Sequence, residues 1–151
     1  MLTELIELPA SHLLGLRQRL ESAGLPFDDV GEPGKRFCQL EVAGTPVGWA
    51  GLEPSGADAL LRSVFVLDQM RGRHHGRLLG SASAAEAGTL GAERLWLLTT
   101  TATGFFTNPG FHTVPRNPAP QALQESGEFA SLCPASAICM MLDLSQAQES
   151  R

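Results

Sequence analysis

Residues 3–8, Thr-Glu-Leu-Ile-Glu-Leu, alternate loosely between polar and apolar and predict a first strand, stopped by Pro9. The period then changes. Leu13, Leu16 and Leu20 fall on one face of a helix, with Ser11 as a candidate cap and Gly24 as its stop. Pro26, Gly31, Pro33 and Gly34 make residues 25–35 mainly loop. Alternation returns from Phe37 through Leu40 and Val42, and a second run follows from Thr45 to Pro54; together they predict an antiparallel hairpin with Gly44 in the turn. Ala59 to Leu67 is almost continuously apolar, as a central strand covered on both faces should be. From His75 to about Leu90 the spacing is helical, with Leu78, Leu79, Ala82 and Ala85 as the inward stripe and Gly91 as the end. Arg94 to Thr101 reads as another strand, and residues 102–111 as a short helix ended by Pro109-Gly110. Residues 112–134 are Pro-rich and irregular, with one helical turn at 121–126, and Ala135 to Leu144 closes as a strand. The order of strands and helices predicts one α/β domain on a mixed sheet over residues 1–144, followed by a polar tail, 145–151.

Composition narrows the class. A chain of 151 residues with 43% hydrophobic and 18% charged side chains is long enough for one globular core. The formal charge of -5 argues against a nucleic-acid coat, which needs a basic face. The three cysteines, Cys38, Cys133 and Cys139, match no zinc spacing and read as free thiols in a reducing cytosol. The first residues lack the cationic start of a signal peptide, and no apolar run is long enough to span a bilayer. A soluble cytoplasmic protein is expected, with no membrane partner.

One stretch breaks the acidic pattern. Arg71-Gly72-Arg73-His74-His75-Gly76-Arg77 stands between the apolar strand and the following helix. The first turn of such a helix has backbone N–H groups without intrahelical partners, and its dipole favours an anion. Gly72 and Gly76 let the backbone come close to a ligand, and Arg71, Arg73 and Arg77 can grip phosphate. These parts suit a pyrophosphate. A solvated Arg-rich loop is the plainer alternative. A metal pair at His74-His75 is disfavoured, because adjacent side chains diverge and no third ligand lies close in sequence, so no metal is expected.

In this context residues 60–111 resemble the core of the GCN5-related N-acetyltransferases. Their phosphate loop reads [QR]-x-x-G-x-[GA]; Arg71 fits the first position and Gly76 the last, while His74 stands where glycine is usual. Ala102, Phe105, Gly110 and Phe111 match the later signature, with Thr99 in place of its Asn and Phe106 in place of its Tyr. Residues 52–64, 97–106 and 128–137 further resemble the arsenic-resistance N-acetyltransferases of arsenic operons. Residues 98–106 are also similar to a segment of N-acetylglutamate synthases, whose acceptor is glutamate. The resemblance implies a single-domain fold with a mixed, mostly antiparallel sheet and helices on both faces. It implies acetyl-CoA as cosubstrate and a small-molecule amine as acceptor, and it leaves a homodimer open. It puts the pyrophosphate at residues 71–77 and the pantetheine along the backbone of Phe65, Val66 and Leu67. A backbone N–H near the same strand would polarise the acetyl carbonyl.

The remaining chemistry concerns protons and the acceptor. The chain has no tyrosine, so a tyrosine acid for the leaving thiolate is excluded; Thr99 or water are the candidates. Glu53, just before the central strand, is the candidate base for the incoming ammonium; an ordinary strand-end carboxylate is the alternative. Arg62 is a cation inside an apolar strand, which is costly unless paired. A substrate carboxylate or a protein carboxylate such as Glu53 would satisfy it. Thr100, Ser131 and Cys133 are further candidates to line the acceptor cleft. The expected reaction moves acetyl from acetyl-CoA to the amino group of a small anionic amino acid, or of an arsenical glutamate analogue. Acetylation of a protein amine, or acyl-CoA binding without turnover, are the alternatives.

Overall fold

The computed structural model describes residues 3–24, 27–28, 30–67, 75–99, 111–114 and 138–144. In chain order these form β1 (Thr3–Glu7), a 3-10 turn (Ala10–His12), α1 (Leu13–Ser22), β2 (Arg36–Val42), β3 (Thr45–Ser55), β4 (Asp58–Val66), α2 (His75–Thr89), β5 (Arg94–Thr99), β6 (His112–Thr113) and β7 (Ile138–Asp143). The seven strands make one sheet in the order β1-β2-β3-β4-β5-β7-β6. Only the β4–β5 pair is parallel, and α2 is its crossover. The other neighbours are antiparallel.

Local chemistry explains the joints. Ala43 and Gly44 carry φ of 52° and 82°, so both central residues of the β2–β3 turn are left-handed, the pattern that suits a two-residue hairpin. Gly91 ends α2 at φ 98°, with its N–H donated to the Gly88 carbonyl.

The sheet buries both faces. On one, Leu16 and Leu20 of α1 pack with Val30, Phe37 and Trp49. On the other, Leu79 and Ala87 of α2 pack with Leu40, Val47, Leu52, Leu61 and Leu95. Full burial of each such leucine contributes about 1.5–3 kcal/mol. Gly48 permits the close approach of α2, since a Cβ there would lie 3.1 Å from Leu79 Cδ2 and 2.9 Å from the Phe65 carbonyl oxygen. Where β4 and β5 begin to pair, Asp58 clamps the strands. It accepts from Arg94 Nε at 2.7 Å and Nη2 at 3.2 Å, and from Trp96 Nε1 at 2.9 Å. That hydrogen bond holds the Arg94 guanidinium above its ordinary pKa.

Three sequence expectations need correction. The inward stripe of α2 is Leu79, Gly80, Ser83 and Ala87; Leu78 and Ala85 face solvent. Small residues occupy both sides of this helix, so the apolar pattern alone did not select the face. Ser11 does not cap α1: it lies inside the 3-10 turn, and His12 precedes the helix without a side-chain cap bond. The two-residue strand β6 stands where only irregular chain was expected, and His112 is exposed on it. The short helix expected at 102–111 and the turn at 121–126 lie outside the described residues, apart from Phe111, which is buried.

Candidate active site

The site is organised by β4. Gly51 pairs with Arg62 and Trp49 with Phe65, so β3 advances two residues while β4 advances three. The extra residue on β4 is a bulge, and Ser63 there takes φ 57°. A left-handed non-glycine residue costs on the order of 1–2 kcal/mol. The Ser63 hydroxyl is tied in place by Arg62 Nε at 3.1 Å.

Just before the bulge the sheet opens. The parallel register of β4 with β5 ends at Leu61–Leu97, yet β4 continues to Val66. Beyond Leu97, β5 continues only with β7, through Leu98–Cys139 and Thr99–Ile138. The outer half of β4 therefore has no β5 partner. The Leu67 N–H donates to the Val47 carbonyl at 3.0 Å, toward β3. By the alternation of a strand, Val66 presents its N–H and C=O to the open, β5 side. Of Phe65, Val66 and Leu67, Val66 thus has the backbone groups that face the open side.

Helix α2 packs near the outer half of β4, with Leu79 beside Gly48, the partner of Val66. His75, Gly76 and Arg77 are its first three residues, with no acidic side chain in the first turn. This arrangement suits an anion. Arg71, Gly72, Arg73 and His74 precede it and lie outside the described residues.

On the α1 face, beside the bulge, charged side chains are buried together. The Arg62 side chain is 0% exposed and donates from Nη1 to Glu53 Oε2 at 3.1 Å. Its guanidinium also lies 5.6 Å from the centre of the Phe37 ring. Gly51 makes room for this layer, because a Cβ would lie 2.8 Å from Phe37 Cε1 and 3.1 Å from Arg62 Cγ. Glu53 Oε1 is 3.9 Å from Lys35 Nζ, and Lys35 also meets Glu32 at 3.4 Å. A carboxylate thus stands between two cations. Breaking such a buried pair by removing one partner costs about 3–5 kcal/mol.

Of the expected site residues, the structure brings together Glu53 and Arg62, with Phe65 and Val66 beyond the bulge on the same strand. Arg62 has a protein carboxylate as partner, one of the two alternatives its sequence position posed. Thr99 ends β5; its side chain, with all of Thr100, Ser131 and Cys133, lies outside the described residues. Lys35 and Ser63 were not singled out from the sequence. Lys35 sits in a Pro/Gly loop where a lysine is unremarkable. The left-handed conformation of Ser63 has no sequence signal, since it follows from register. Among the described residues no group of three or more His, Cys, Asp or Glu is placed to hold a metal.

The site region thus combines an opened parallel pair, a bulge on β4 and the start of α2. The acetyltransferase (GNAT) family model matches residues 5–111, and the chain belongs to that family. Solved structures share the fold at low identity. N-acetylglutamate synthase from Neisseria gonorrhoeae, complexed with coenzyme A and N-acetyl-glutamate, is similar at TM-score 0.74 and 19% identity, over 95% of this chain and 35% of that one. This chain therefore spans about a third of the synthase. Rv2747 from Mycobacterium tuberculosis, in complex with CoA, is similar at TM-score 0.72 and 20% identity over 93% of this chain and 98% of that one. A spermidine N-acetyltransferase chimera from Vibrio cholerae and hSSAT is similar at TM-score 0.70 and 14% identity, over 97% and 98% of the two chains. A comparison with curated protein sequences returned no match.

Proposed function

We propose that the enzyme acetylates the α-amino group of a small anionic amino acid, with a glutamate-shaped acceptor as the best fit. The observation that carries this is the buried sequence of charges Lys35, Glu53, Arg62 beside the β4 bulge. A polyamine offers only cations and would be repelled by two of the three groups. An amino acid offers an ammonium flanked by carboxylate, the complement of a carboxylate flanked by cations. The fold does not make this choice, since synthase and polyamine enzyme share it.

In this reading Glu53 meets the acceptor ammonium and takes its proton, directly or through one water. Arg62 holds Glu53 in place, and Arg62 and Lys35 together favour an acceptor carboxylate. Acetyl-CoA supplies the activated acyl group when bound. The backbone of Val66 and its neighbours orients the pantetheine, and residues 71–77 at the start of α2 hold the pyrophosphate. A backbone N–H at the bulge polarises the acetyl carbonyl, because the bulge frees that strand edge from its neighbour. The leaving thiolate takes its proton from water or Thr99. The resemblance to the arsenic-resistance enzymes extends the proposal to an arsenical analogue of glutamate, which presents the same amino acid head.

An acceptor panel tests the assignment. Free thiol release from acetyl-CoA, with product mass, is measured for glutamate, aspartate, glutamine, spermidine and a lysine peptide. Glutamate-like acceptors are expected to exceed spermidine and the peptide in kcat/KM by at least about tenfold, the scale of one charge-assisted bond. Preference for spermidine or the peptide contradicts the reading. CoA binding with no release for any amine favours a module without turnover.

A further inference from the structure

A second concavity lies away from the β4–β5 gap, between α1 and the β2–β3 hairpin. It has a volume of about 300 Å³. Leu8 and Leu16 supply apolar wall, Ser11 and His12 stand at the helix start, and Arg19, Gln39 and Trp49 complete the lining with Gly15. Trp49 forms a partition between this cleft and β4. Phe65 stacks on its ring, with centroids 5.0 Å apart and planes at 22°, and the Arg19 guanidinium lies 4.5 Å from the ring centre. The indole N–H donates to Gln39 Oε1 at 2.9 Å, and Gln39 in turn donates to Glu41 at 2.8 Å.

Two features are poorly explained by packing. Arg19 has the indole as its partner and no carboxylate within ion-pair distance among the described residues. Gly15 is the third residue of α1, where glycine is a poorer helix former than alanine. A Cβ on Gly15 would meet nothing within 4 Å, and the residue has no positive φ to require it. Neither backbone geometry nor crowding calls for glycine. An open cleft does, because any longer side chain there would extend into it.

We propose that this cleft is a second small-molecule site, for a carboxylate with a compact apolar body, such as an aryl or branched alkyl acid. Among the described residues the lining contains no acidic side chain. Arg19 and His12 supply cationic and hydrogen-bonding groups at its rim, and Ser11 a hydroxyl. Leu8, Leu16 and the Trp49 edge receive the apolar body. The volume falls at the lower end of small-molecule pockets, which admits a ligand of about ten heavy atoms. The site does not depend on the acceptor assignment, since it shares none of Lys35, Glu53 and Arg62.

The test uses 3-phenylpropionate as probe and its neutral amide as control, on the full chain. The readout is the indole N–H resonance of Trp49, distinguished from that of Trp96 by a Trp49→Phe variant. The acid is expected to shift the Trp49 resonance saturably, and the amide to bind at least about fivefold more weakly, as loss of a charge-assisted contact requires. Arg19→Met is expected to weaken the acid by a similar factor while keeping the aliphatic stem. Gly15→Leu fills the cleft and should abolish the shift, with Tm unchanged or raised because leucine is the better helix former. No saturable shift with wild type, equal binding of acid and amide, or binding that survives Gly15→Leu would each overturn the proposal.

Discussion

At the scale of single residues, burial sets the chemistry. Cys38 on β2 is 2% exposed, and desolvation, reinforced by the charge of Glu86, pushes its thiol from the ordinary 9.0 to about 11. The sign of the linkage follows. A raised folded-state pKa means the native chain keeps this proton longer than the unfolded chain. Its contribution to stability is whole below pH 9 and is lost as pH rises from there toward about 11. Denaturant unfolding of wild type and Cys38→Ala across that window should show the wild type losing stability more steeply. Parallel pH slopes would mean that Cys38 titrates alike in both states. Arg62 shows the same physics from the other side: a cation inside an apolar strand announces a partner, but the sequence does not say which. The fold supplies Glu53 from the neighbouring strand, nine residues away in the chain.

At the scale of elements, periodicity located the strands and helices well and their faces less well. The hairpin at Gly44, the central position of β4 and the extent of α2 were all legible, because turn chemistry, continuous apolar runs and Gly91 are local signals. The inward face of α2 was not, since an alanine- and serine-rich helix distributes small residues on every side. The bulge at Ser63 was also hidden, because it is a mismatch between two strands and belongs to neither sequence alone. At the junction of β4 with α2 the helix start at His75 was legible, while the arginines and glycines before it lie outside the described residues. The proposed pyrophosphate contact there carries its own prediction. Replacing Arg71 and Arg73 together by alanine should weaken CoA binding by roughly ten- to a hundredfold, two charge-assisted contacts shared with backbone donors. Calorimetry reads the affinity, and an unchanged Tm confirms that the fold is intact. Unchanged CoA affinity would contradict a phosphate role for the pair.

At the scale of the whole molecule, one sheet carries two unlike surfaces. The α2 face is mainly apolar, with Ser83 buried on it, and it backs the sheet on the side away from the charged layer. The α1 face combines an aromatic layer with buried charge, and the proposed acceptor site and the second cleft both open there. The opened β4–β5 pair joins the two, and in the proposed reading an acyl group in the gap is presented to the charged face. The account's central claim is that Glu53 meets the acceptor amine at that junction. The most direct measurement is kcat/KM for the acceptor in Glu53→Gln, with CoA affinity and Tm determined on the same preparation. The amide keeps the shape and can still accept from Arg62, but it cannot take a proton. Tm is expected to fall, since a buried guanidinium loses its counter-charge, and the assay is run below the transition. The account predicts that kcat/KM drops by about 10²–10⁴, the usual contribution of a positioned base, while CoA affinity holds. Turnover within about twofold of wild type, on a folded variant, would contradict it.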